Sequence, residues 1–198
     1  MKELKQIGSF AFKGGVGKTS LSYLLAYAMH ERGETVSLVD FDPQHSLAVA
    51  SDISPPPFKV VRGNINSDDL KIPSDTTLAI IDHPPGIEPE KIAGVYDLIM
   101  IPFVANPMEL HPLSYALGKL KGENIVLVAN RYRGLASEDN AIQSIKDAYD
   151  FPILTMGQLA DIPEAIASGR NVRKSKASDN VLTLLKLISK KIGRKSKW

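Results

Sequence analysis

The chain has 198 residues, with 24 Lys/Arg against 22 Asp/Glu, a net charge of +2 and no cysteine. That length suits one α/β domain and is short for two, and the lack of thiols excludes disulfides, thiolate zinc sites and cysteine-ligated iron-sulfur clusters. No apolar run reaches the roughly 18 to 20 residues of a membrane span and no signal-peptide core opens the chain, so a soluble, cytoplasmic protein is expected.

Short apolar runs alternate with helical patterns along the chain. Ile7 to Phe12 is expected as a strand; Leu21, Leu24, Leu25, Ala28 and Met29 then mark a helix over Lys18 to Arg32, with Gly33 as its stop. Thr35 to Val39 is the next strand, and Ser51 to Pro57, with its three consecutive prolines, reads as a surface connection. Leu78 to Ile81 and Leu98 to Phe103 follow as strands. Asn106-Pro107-Met108-Glu109 opens a helix, with Asn106 as cap, Pro107 first and Glu109 reaching back. Ile125 to Ala129 and Pro152 to Leu154 are strands, with a helix over Ser137 to Tyr149 between them. The alternation predicts βαβ units in a three-layer α/β/α fold, a doubly wound, mostly parallel sheet flanked by helices. One domain is expected over residues 1–198, closing on a basic helix and tail from about residue 170.

Lys13-Gly14-Gly15-Val16-Gly17-Lys18-Thr19 lies between the first strand and the first helix. Three glycines let the backbone curl around a polyphosphate, so that successive N–H groups and the helix N-terminus point at the anion. Lys18 adds a point charge, Thr19 offers Mg²⁺ a hydroxyl, and Ser20 is expected with residues 14–19 among those that bind the nucleotide. The common form of this loop has a glycine where Phe12 stands, and here a second lysine, Lys13, begins it.

In a doubly wound sheet, ligands gather at the carboxyl ends of the strands. The second strand delivers Asp40-Phe41-Asp42-Pro43-Gln44, whose two carboxylates share one side of an extended chain, and the strand ending at Ile81 delivers Asp82, where a Walker B aspartate is expected. His83, His45 and His111 read as packed or solvated residues.

These segments, with Pro84-Pro85 after Asp82 and His83, resemble the deviant Walker A P-loop ATPases of the ParA/MinD superfamily over nearly the whole chain, most closely small ParA-type partition proteins. The likeness continues at Val126 to Arg131, where the family has an Asn that reads the adenine amino group, here Asn130, and at Ile162-Pro163-Glu164-Ala165 through Gly169, bordering the base. Phe10-Ala11-Phe12 departs from the polar residue usual before the signature lysine. The resemblance implies ATP and Mg²⁺ as cofactors and hydrolysis to ADP and phosphate, coupled to a homodimer. Lys18 would hold the phosphates of its own nucleotide and Lys13 would cross to the other subunit's. Asp42 would orient the attacking water, Thr19 would bind Mg²⁺ directly, and Asp40 and Asp82 would hold it through waters. Arg131 would either stack near the base or face solvent.

The charge is unevenly spread: residues 170–198 hold ten Lys/Arg and one acid, a surplus of nine, whereas residues 1–169 carry 14 Lys/Arg and 21 Asp/Glu, a deficit of seven. Val181, Leu182, Leu184, Leu185, Leu187, Ile188 and Ile192 form an apolar face among lysines. Such a helix can lie on an anionic membrane, as in MinD relatives, or pack on the sheet and leave its lysines to DNA phosphates. Six large apolar residues within 181–188 favour the core. Arg170, Arg173, Lys174 and Lys176 then form a basic cluster where partition ATPases carry sequence-independent DNA contacts. Only one strand precedes Lys13, so no N-terminal helix-turn-helix is expected, and specific DNA reading would fall to a centromere-binding partner. The expected function is nucleoid-associated DNA partition. A membrane-bound positioning ATPase, and a metabolic P-loop enzyme such as a cobyrinate-type amide synthase, remain as alternatives.

Overall fold

The computed structural model describes residues 3–64, 71–120, 122–158, 162–169 and 178–194. Seven strands form one all-parallel sheet: β1 (Lys5–Ser9), β2 (Val36–Asp40), β3 (Lys59–Arg62), β4 (Leu78–Asp82), β5 (Leu98–Val104), β6 (Ile125–Asn130) and β7 (Ile153–Met156), in the order β3-β2-β4-β1-β5-β6-β7. β2, β4 and β6 are buried along their whole length, which is why their sequences run apolar without alternation.

The described α-helices are α1 (Lys18–His30), α2 (Ser46–Ile53), α3 (Pro107–Lys119), α4 (Ala136–Ala148), α5 (Ile162–Ala167) and α6 (Ser178–Lys191), with a short 3-10 turn at Pro89–Lys91. Leu21 and Leu25 of α1, Leu47 of α2, Ile162 of α5 and Leu184, Leu185 and Ile188 of α6 share one core with Ile7, Leu38 and Ile80 of the sheet. Leu113 and Leu117 of α3 and Ile142 and Ile145 of α4 cover the opposite face over β5 and β6. The helix at 181–192 therefore packs on the sheet, as its density of large apolar residues predicts. Its far end is tied down where Arg194 Nη2 donates to the Glu3 and Thr77 carbonyls, at 2.6 and 2.7 Å, and Lys191 Nζ to Asn124 Oδ1 at 2.8 Å.

Several expectations are corrected. β1 stops at Ser9, three residues before the expected strand end, and residues 10–17 belong to the loop. Asn106 caps α3 by accepting from the Met108 and Glu109 N–H groups, but the Glu109 side chain reaches across to Lys13. Ser51 to Ile53 close helix α2, so the surface connection starts later, at the prolines. The strand β3 and the helix α2 were not expected at all.

Candidate nucleotide site

The carboxyl ends of β1, β2, β4 and β6 converge on one side of the sheet. An open cleft of ≈ 310 Å³ there is lined by Lys13, Gly14, Gly15, Gly17, Lys18, Thr19, Ser20, Asp42, Pro85 and Arg131. Gly17 caps α1 with φ 92 and ψ 20, so the loop delivers the helix N-terminus into the cleft.

Gly17 is fixed in two ways. Its φ lies in the left-handed region, and a Cβ there would fall 2.2 Å from Asn130 Nδ2. That amide group sits beneath the loop, donating to the Val16 carbonyl at 2.7 Å. Gly17→Ala is therefore expected to push the loop off Asn130, and to lower affinity for a labelled ATP analogue about tenfold or more in a fluorescence titration, as lost hydrogen bonds to charged phosphates imply.

Beneath the loop, Lys18 Nζ is 2.8 Å from Asp82 Oδ1, and both side chains are nearly inaccessible, at 7% and 1% exposure. Thr19 Oγ1 donates to Asp82 Oδ2 at 2.7 Å, and the Ser22 hydroxyl lies 3.0 Å from Asp82 Oδ1 and from the Lys18 carbonyl. Burial pushes the Asp82 carboxyl up from its ordinary value, against the pull of the Lys18 ammonium and these three hydrogen bonds. Ser22 is a residue that sequence reasoning missed; its spacing of four from Lys18 on an otherwise apolar helix face was the available signal.

Asp40 is 1% exposed, and its two carboxylate oxygens accept from the Asp42 and Ala48 N–H groups at 3.1 and 3.0 Å. It thus pins the loop after β2 and the start of α2, and is not among the cleft-lining residues. Asp42 accepts from Gln44 N at 2.9 Å and lines the cleft. Lys13 stands at the rim, its side chain 68% exposed, with Nζ 2.8 Å from Glu109 Oε1. Glu109 was read only as a cap, yet it lies four residues before Leu113 on the buried face of α3, where a carboxylate needs a partner.

Asn130 is 7% exposed, and its Oδ1 has no hydrogen-bond partner, an acceptor left for a donor such as an exocyclic amino group. Arg131 borders the cleft in the left-handed region, at φ 58. Pro163 is exposed at the start of α5 and is not among the cleft-lining residues. Arg170, Arg173, Lys174 and Lys176 lie outside the described residues.

The donor set fits a nucleotide with Mg²⁺. Among the described residues no three His, Asp or Glu side chains converge on a cation. A cation beside Thr19 Oγ1 and Asp82 would therefore complete its shell with phosphate oxygens and water, the habit of Mg²⁺.

Behind the cleft, His83 is 3% exposed, and burial together with the nearby Lys18 ammonium holds its imidazole down to about 4 from 6.5. The unfolded chain takes up that proton at higher pH than the folded one, so stability conferred by neutral His83 is fully present above pH 6.5 and is lost as pH falls toward 4. Asp82, shifted up, acts in the opposite sense at the acid end. Urea titrations of the nucleotide-free protein at about pH 7.5 and about pH 5 should show wild type losing about 2 kcal/mol more than His83→Gln.

A family model, the CobQ/CobB/MinD/ParA nucleotide binding domain, matches residues 7–172. Among solved structures, one described as a plasmid partition protein from Borrelia burgdorferi B31, bound to AMPPNP, has a TM-score of 0.70 at 16% identity, covering 96% of this chain and 100% of that one. The septum site-determining protein MinD from Pyrococcus horikoshii OT3, complexed with Mg-ADP, has a TM-score of 0.69 at 20% identity, covering 100% of both chains. At such identities the likeness carries the fold. An arsenical pump-driving ATPase 1 of Aquifex aeolicus (strain VF5) is 46% identical over 44 residues, 22% of this chain and only 11% of that protein. With the family model spanning well over half of its residues, the chain belongs to the CobQ/CobB/MinD/ParA nucleotide-binding domain family.

Proposed function

We propose that this chain is a Mg²⁺-dependent ATPase of the ParA partition type, which dimerises around ATP and binds DNA without sequence preference. The observation that carries the reading is the convergence of Lys13, Lys18, Thr19 and Asp42 on the cleft that receives the N-terminus of α1. Mg²⁺ bound with the nucleotide neutralises phosphate charge as it develops. Lys18 leaves Asp82 to hold the phosphates, Thr19 serves the cation, and Asp42 orients a water for in-line attack. Lys13 exchanges Glu109 for the nucleotide of a second subunit, Asn130 Oδ1 accepts from the adenine amino group, and Asp40 keeps the Asp42 turn in place.

DNA is favoured over a membrane surface because the apolar face of α6 turns onto the sheet: Leu184, Leu185 and Ile188 are each at most 2% exposed, and Val181 and Leu187 pack partly buried against the same core. No described helix is long and apolar enough to cross a membrane. The basic surplus after residue 170 then serves phosphates, with a centromere-binding partner supplying site choice. DNA and anionic liposomes, each pelleted with the protein in ATP or ADP, test this. ATP-dependent sedimentation with DNA, weakening steeply with salt, is expected; sedimentation with liposomes alone would overturn the DNA assignment.

A further inference from the structure

Three rings from three loops form a row beside the cleft. Phe41 stands between Asp40 and Asp42, His83 follows Asp82, and Tyr96 leads into β5. The His83 ring stacks on Phe41 with centroids 5.4 Å apart and planes at 30°, and meets Tyr96 at 5.5 Å and 68°. His83 Nε2 is 2.6 Å from the Tyr96 hydroxyl. Glycines bound the row at both ends: a Cβ at Gly63 would lie 2.4 Å from the Phe41 ring, and one at Gly8 2.5 Å from the Tyr96 ring. Backbone bonds join the same loops, Phe41 N to Asp82 O at 3.0 Å and Gly63 N to Asp40 O at 2.9 Å.

We infer that this row sets the loop of Asp42 against the loop of Asp82 and Pro85, with His83 as the positioning residue between them. The inference rests on the ATPase reading and concerns how that site is held. Phe41 sits directly between Asp40 and Asp42, and the Asp40 carboxylate accepts from Asp42 N at 3.1 Å, so a ring fixed at Phe41 constrains the short turn that carries both carboxylates. Among the described residues, the Asp42 carboxylate is otherwise held by Gln44 N of its own turn. Phosphate binding depends on the glycine loop, which the rings do not form, whereas water orientation depends on Asp42. A misplacement of about 1 Å costs up to about 100-fold in turnover.

The test measures steady-state ATP turnover and the affinity for a labelled ATP analogue in wild type, His83→Ala, His83→Phe, Gly63→Ala and Tyr96→Phe. In His83→Ala and Gly63→Ala, kcat should fall about tenfold or more with affinity within about threefold of wild type. His83→Phe keeps the stack and should restore most of the turnover. Tyr96→Phe removes one hydroxyl, keeps its ring over Gly8 and should lower kcat by about threefold; should the other variants not fold, it carries the test alone. Unchanged kcat in the folded variants, affinity lost in step with kcat, or His83→Phe as slow as His83→Ala would overturn the positioning role while leaving the ATPase reading intact. A wild-type chain without turnover overturns both.

Discussion

Lys18→Ala should abolish ATP binding and turnover and, in the same protein, destabilise the nucleotide-free fold by about 3–5 kcal/mol. The two losses have different origins. Turnover fails because the phosphates lose a buried point charge aimed at the group where negative charge develops, a kind of loss worth about 100- to 1000-fold for a single donor, with binding lost in addition. Stability falls because Asp82, 1% exposed, loses the cation 2.8 Å from its Oδ1 and, among the described side chains, keeps the Thr19 and Ser22 hydroxyls. The carboxyl, already pushed up by burial, can then relieve the cost by taking up a proton. The destabilisation should accordingly grow as pH rises and shrink as it falls. Lys18→Ala combined with Asp82→Asn should recover much of the stability and none of the turnover. Urea titration of the variants beside an ATPase assay separates the effects. A Lys18→Ala chain as stable as wild type would show that the buried pair contributes nothing to the fold.

What the sequence disclosed and what it hid divide along one line. β2, β4 and β6 were legible because strands buried on both faces are uniformly apolar, and the glycine loop because its backbone demands glycine. β3 was not, since Lys59-Val60-Val61-Arg62 is an edge strand with only two apolar residues between charges that reach Asp75 and Asp52. Helix α2 was hidden for another reason: its first turn is pinned by the Asp40 carboxylate accepting from Ala48, eight residues on, a cap no local pattern records. The site follows the same rule. Lys18, Thr19 and Asp82 declared themselves by motif. The Lys13–Glu109 pair, 96 residues apart in sequence, and the ring row of Phe41, His83 and Tyr96 needed the fold to bring them together.

Lys13→Ala should show the opposite division from Lys18→Ala: a fold almost as stable as wild type, and no ATP-dependent dimer. Among the described residues its ammonium pairs with Glu109 alone, and its side chain is 68% exposed, so water screens the attraction. Such pairs contribute about 0–1 kcal/mol, and unfolding should shift by no more than that. The same exposure frees Lys13 for a second subunit, since releasing it from Glu109 costs little beside the gain from meeting a nucleotide phosphate desolvated between two chains. Light scattering of both proteins at matched concentration, with a non-hydrolysable ATP analogue or ADP, reads the difference. Wild type should double in mass in the analogue alone, and Lys13→Ala should stay monomeric while still binding the nucleotide through Lys18. A normal dimer of Lys13→Ala would remove the cross-subunit role and leave this lysine as a surface partner of Glu109. A variant that neither dimerises nor binds nucleotide would place Lys13 with its own subunit's phosphates instead.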